Sequence, residues 1–84
     1  VQPSPEVLEG MAQAAREVSG VKRVEKVLAR KVGTGYLADM HIEVDGAISV
    51  REGHNLAHLV KDVVRSHNPS VVDVLIHIEP YNAK

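Results

Sequence analysis

The side chains able to do chemistry are five histidines and the carboxylates interleaved with them. His41 stands between Asp39 and Glu43 in an alternating run, and His77 stands two residues before Glu79 in another. His54 and His58 are four residues apart, the spacing that puts two side chains on one face of a helix. Imidazole and carboxylate together suit zinc, manganese, iron or nickel. The chain has no cysteine, which excludes disulfides, cysteine zinc fingers, thiol catalysis and iron–sulfur sites.

Covalent catalysis finds no support. A nucleophile needs a base within hydrogen-bond reach and a third group to orient that base. Ser4, Ser19, Ser49, Ser66, Ser70 and Thr34 all read as caps or turn residues. Gly33-Thr34-Gly35 lacks the length and the lysine of a phosphate-binding loop. The chain therefore does not read as an enzyme. A formal net charge of −1 lacks the basic face that nucleic acid demands, and only Tyr36 and Tyr81 are aromatic, so base stacking is unsupported. No apolar run exceeds four residues, against roughly 20 for a membrane span.

The elements that must position these groups follow from hydrophobic spacing. A chain of 84 residues has room for one domain with a modest core, here dominated by fifteen valines. Ser4-Pro5 reads as an N-cap with proline in the first turn. Val7, Leu8, Met11, Ala14, Ala15 and Val18 then recur at helical spacing, which predicts a helix of about 14 residues stopped by Gly20. Val21 to Val32 alternates loosely and predicts a strand, bulged in places, with one solvated face. The glycine turn at 33–35 makes it the first arm of a hairpin.

Tyr36 to Asp45 is the clearest strand. Ala38, Met40, Ile42 and Val44 face the core, and Asp39, His41, Glu43 and Asp45 face away. Ser49 and Glu52 form a capping box for a second helix ending near Ser66, with Gly53, Leu56, Ala57, Val60, Val63 and Val64 as its apolar stripe. Val71 to Glu79 predicts a last strand, with Val72, Val74, Ile76 and Ile78 inward and Asp73, Leu75, His77 and Glu79 outward. The order α-β-β-α-β predicts an α+β open sandwich with two helices on one face of a three-stranded sheet, its last strand joined through a βαβ crossover. His67, before Asn68-Pro69, suits a helix C-terminus, where a cation complements the dipole. His58, alongside Lys61, Asp62 and Arg65, reads as a solvated helix residue.

Three separated strings carry a family likeness: His41-Ile42-Glu43-Val44-Asp45, Ser49-Val50-Arg51-Glu52-Gly53-His54-Asn55-Leu56-Ala57-His58, and Asp73-Val74-Leu75-Ile76-His77-Ile78-Glu79-Pro80. In order and spacing they resemble the cytoplasmic C-terminal domain of cation diffusion facilitator (cation efflux) transporters. Gly20-Val21, Arg30-Lys31 and Gly33 also fall where that family has them, and the likeness spans Val7 to Pro80. It implies a metallochaperone-like, ferredoxin-like α-β-β-α-β fold, in agreement with the order read from the periodicity. It also implies a homodimer on the cytoplasmic side of a membrane, two subunits forming a V attached to the transmembrane domain of the same transporter.

Carried over residue by residue, the resemblance places metal ligands at His41, His54, His77 and Glu79. Asp39 matches a position that binds metal in the magnetosome branch. Glu25 stands where many members have histidine, and a carboxylate there makes a harder site, which leaves iron and manganese open beside zinc. Residues 1–5 then read as a linker from a preceding transmembrane domain, 6–80 as the regulatory domain and 81–84 as a tail. Glu25, Asp39, Glu43, Asp45 and Glu79 are expected to repel across the dimer until a divalent cation bridges the arms and favours the closed form. Two alternatives remain: a dimerisation module without metal regulation, and a free-standing soluble metal carrier, the latter disfavoured by the missing Cys-x-x-Cys motif.

Overall fold

The computed structural model describes residues 3–82. Ser4 holds extended backbone and its hydroxyl accepts from the Val7 N–H, so helix α1 starts at the predicted place and runs Pro5–Arg16. It has 12 residues rather than about 14, because Glu17 already caps it. Val18 is nonetheless buried, reaching the core from the turn that Gly20 completes at φ +101°. Strand β1 is Arg23–Val32, β2 is Gly35–Val44, helix α2 is Val50–His67 and β3 is Val71–Pro80. The element order is the predicted one. Val21 and Asp45 fall outside the strands predicted to hold them, and Pro80 is inside β3 rather than closing it.

Strand β2 is central. It pairs antiparallel with β1 and parallel with β3, which arrives through α2 as the crossover reading predicts. Both helices lie on one face, α1 over β1 and against α2, and α2 over β3. Met11, Met40, Ile42, Val60, Val64 and Val74 are fully buried between these layers. Each such side chain contributes about 1.5–3 kcal/mol of transfer free energy. The capping box is formed: the Ser49 hydroxyl accepts from the Glu52 N–H at 3.0 Å, and the Glu52 carboxylate accepts from the Ser49 N–H at 2.8 Å.

One inward residue turns out. Val72 is 52% exposed, and Val71 takes the buried place expected for it. The β2/β3 register slips between Tyr36 and Leu37, so Val72 is an extra residue on β3 and the alternation restarts at Asp73. Gly35 makes the slip possible. A Cβ there would lie 2.6 Å from Val72 Cγ2 and 2.8 Å from the Ser70 carbonyl oxygen, the group that accepts from the Tyr36 N–H. Of the linker and tail readings, residues 1–2 and 83–84 lie outside the described residues. Among the described residues no helix is long and apolar enough to cross a membrane.

Candidate metal centre

The sheet face turned away from both helices carries the chemistry. Period-two alternation sends His41 to this face from β2, and the parallel register sets His77 of β3 directly beside it. The two imidazoles stack, centroids 4.3 Å apart and planes 7° from parallel. Glu79, two residues on, brings its carboxylate to 2.7 Å from His41 Nδ1. Because the carboxylate can only accept, the imidazole holds the hydrogen in this bond. Glu25 arrives from β1 by a different device. A bulge between Val24 and Lys26 sets Glu25 outside the regular pairing, and its carboxylate reaches to 4.0 Å from His41 Nδ1. Donor atoms of Glu25, His41 and Glu79 all lie within 4.8 Å of one another. Asp39, a pleat earlier on β2, lies 3.9 Å from His77 Nε2.

The hydrogen bond from His41 holds the Glu79 carboxyl below its ordinary value, against partial desolvation that pushes it up; the charges of His41 and His77 and contact with Glu25 add to the lowering. His41 is the most enclosed side chain of this cluster, 23% exposed. One imidazole with two carboxylates, a second imidazole alongside and a third carboxylate behind it form a donor set suited to a divalent cation of intermediate hardness.

Two of the carboxylates expected to add negative charge at the cluster are engaged elsewhere. Glu43 is buried at the β1 end, where Arg23 Nη1 sits 2.9 Å from its Oε2. Asp45 caps the following turn by accepting from the Ala47 N–H at 2.9 Å. Uncompensated acid on this face therefore comes from Glu25, Asp39 and Glu79.

His54 is not part of the cluster. It lies in the first turns of α2, over the opposite face, and its ring meets His58 edge-on with centroids 4.6 Å apart. It lines a groove along the edge of β3 with Ile76, Ile78 and Glu79. His67 closes the last turn of α2 as expected, its Nδ1 2.9 Å from the Val63 carbonyl oxygen. Sequence spacing alone did not reveal the His41–His77 stack, which depends on strand register, nor the Arg23–Glu43 pair; the signal for the latter was opposite charge at the two ends of one hairpin.

Comparison with known proteins agrees with this fold. The sequence profile of the family described as cation efflux protein, cytoplasmic domain, matches residues 3–81. The manganese efflux system protein MneP of Bacillus subtilis is 29% identical over 77 residues, covering 92% of this chain and 26% of that protein. Metal tolerance protein C1 of Arabidopsis thaliana is 34% identical over 73 residues, covering 87% of this chain and 16% of that protein. The chain thus spans about a quarter or less of the length of these relatives. Among solved structures, a nickel form of a substituted MamM C-terminal domain matches with a TM-score of 0.90 at 26% identity, covering 94% of this chain and all of that one. A cadmium form of another substituted MamM C-terminal domain matches with a TM-score of 0.89 at 27% identity, covering 93% of this chain and 98% of that one. With the profile covering nearly every described residue and the fold shared over 94% of the chain, the chain belongs to the cation efflux protein family and is its cytoplasmic domain.

Proposed function

We propose that this domain is a metal-responsive dimerisation unit of a divalent-cation efflux transporter. The observation that carries the reading is the convergence of Glu25, His41 and Glu79, from three strands, with donor atoms within 4.8 Å. His41 and Glu79 would hold the ion, Glu25 would complete the set, and His77 and Asp39 lie beside it. The bound ion supplies positive charge to a face that otherwise gathers three carboxylates.

The same face favours a second copy of the chain. Leu28 and Leu75 are 49% and 60% exposed there, and with Leu37 they line an open depression around Asp39. Two such faces brought together bury aliphatic surface and set like charges opposite one another. A cation removes the repulsion, so it binds the closed pair better than the open one and shifts the population towards closure. A coupling of about 1–3 kcal/mol is sufficient for such regulation. The domain would sit beneath a transmembrane domain, with zinc, manganese or iron as the ion. A nickel and a cadmium form of MamM and a relative named for manganese efflux support a divalent ion in general.

Calorimetric titration of the chain with Zn²⁺, Mn²⁺ and Fe²⁺, paired with small-angle scattering, tests this. The expected result is Mn²⁺ binding lost in both His41→Ala and Glu79→Gln, and a narrower scattering envelope with metal. Mn²⁺ binding that survives both substitutions sinks the site. An unchanged envelope leaves a dimerisation module without metal regulation.

A further inference from the structure

The five histidines divide by the company they keep. His41 bonds to Glu79, His77 approaches Asp39 and His67 holds the Val63 carbonyl. Among the described residues, His54 and His58 make no hydrogen bond and no ion pair; each has the other's ring as its neighbour, at 4.6 Å between centroids and 69° between planes. Both are exposed and both stand on α2, four residues apart.

We propose that His54 and His58 form a bidentate imidazole clamp for a borderline transition-metal ion of the zinc, nickel or copper(II) class, separate from the sheet cluster. Helical geometry supplies the first argument. An i, i+4 pair on an 18-residue helix anchored by its capping box and by buried Val60 and Val64 is held at fixed spacing, so a second imidazole meets an ion already bound by the first. That intramolecular second contact raises affinity far beyond one imidazole.

The second argument is the surroundings. Lys61, one turn along in the same groove, is the cation best placed to repel an ion, and its Nζ is drawn 3.3 Å from Asp73 Oδ1 on β3. The groove of about 240 Å³ beneath the two rings is floored by Val74 and Ile76, which limits water on one side and favours ligation over solvation. The other charges near the pair are Arg51 and Asp62, each one turn away on α2, Arg65 two turns beyond His58, and Asp45 and Glu79, which line the neighbouring groove with His54. No carboxylate bonds either ring, so the donor set is nitrogen, with water in the other positions. Such a set selects zinc, nickel and copper over manganese, the reverse of the carboxylate-rich cluster on the other face.

The clamp does not depend on the proposed function, and its test keeps the two apart. Ni²⁺ is titrated into the full chain, into His41→Ala, and into His41→Ala combined with His58→Gln, with helix content followed by circular dichroism. The expected result is that His41→Ala retains one nickel ion and that adding His58→Gln weakens it by about a hundredfold. His58→Gln alone is expected to leave Mn²⁺ binding unchanged. Thermal midpoints give a second reading: saturating Ni²⁺ raises that of His41→Ala and not that of the double variant. Nickel affinity in the His41→Ala background that is indifferent to His58→Gln overturns the clamp, as does a nickel-induced rise in midpoint that the double variant keeps.

Discussion

Two pairs of histidines come together in this domain by opposite routes. His41 and His77 are 36 positions apart in sequence and stack at 4.3 Å because a parallel register sets them side by side. His54 and His58 meet at 4.6 Å within a single helix. The first pair sits among carboxylates, with Glu79 bonded to His41 at 2.7 Å; among the described residues no carboxylate is bonded to the second. A site assembled across three strands depends on everything that fixes the sheet, and gains a mixed donor set from the several strands that meet there. A site on one helix depends on little beyond that helix and offers nitrogen alone.

The sharpest way to break the comparison is to remove one ligand from each site. His41→Ala is expected to cut Mn²⁺ affinity by about a hundredfold or more, since one of three converging donors is lost. His58→Gln is expected to leave that affinity within about twofold. Calorimetry on the two variants reads both. Equal losses in the two would merge the sites into one.

Gly35→Ala attacks the sheet route without touching any ligand. Its Cβ would collide with Val72 Cγ2 and with the Ser70 carbonyl at the point where the β2/β3 register slips. Overpacking of this kind costs about 1–3 kcal/mol, readable as a lower urea midpoint. Because the register carries His41 against His77, Mn²⁺ binding is expected to weaken as well. Ni²⁺ binding by the helix pair is expected to persist wherever the chain remains folded.

A change of pH separates the sites. The His41 bond holds the Glu79 carboxyl below its ordinary value. A depressed carboxyl stabilises the fold above its unfolded-state value, and this contribution fades as the pH falls through the folded-state value. Thermal melts of the metal-free wild type and Glu79→Gln are therefore expected to differ near neutral pH and to converge in acid. His58→Gln, at a site with no carboxylate partner, is expected to show no such convergence. Metal binding at both sites weakens in acid, because imidazole ligands must be neutral.

Much of this was legible from local rules. The Ser4 and Ser49 caps, the stripe of α2 and the inward set of β2 follow from short-range spacing, and the structure places them as read. The i, i+4 relation of His54 and His58 was equally local, and His58, read as a solvated helix residue, is exposed on α2. What periodicity could not supply was register. The bulge that frees Glu25 and the slip that turns Val72 outward each shift one strand by a residue, and their causes lie in contacts with the neighbouring strand. The family likeness named the side chains that meet in the sheet cluster, and it also named His54, which the structure sets over the other face.

The smallest expected effect bears on the helix alone. Gly53 is buried in the first turns of α2, one residue before His54, and a Cβ there would meet Ile48 Cδ1 at 3.8 Å and Ile78 Cγ2 at 4.0 Å, ordinary packing distances. Alanine therefore fits, and it removes the entropic cost of glycine in a helix, about 0.5–1 kcal/mol. Gly53→Ala is expected to raise the thermal midpoint by a few degrees and to leave Mn²⁺ binding at the sheet cluster unchanged. Its effect on the helix pair shows how firmly that pair is already held. If the capping box and the packing of Val60 and Val64 fully order the first turns, nickel affinity stays the same and the whole gain appears in the metal-free melt. If those turns fray, the added order goes into the clamp, and affinity rises by up to about fivefold, the equivalent of the full 1 kcal/mol. The capping box and the exposed, single-helix placement of the pair favour the first outcome. Paired nickel titrations of wild type and Gly53→Ala, alongside their melts, distinguish the two.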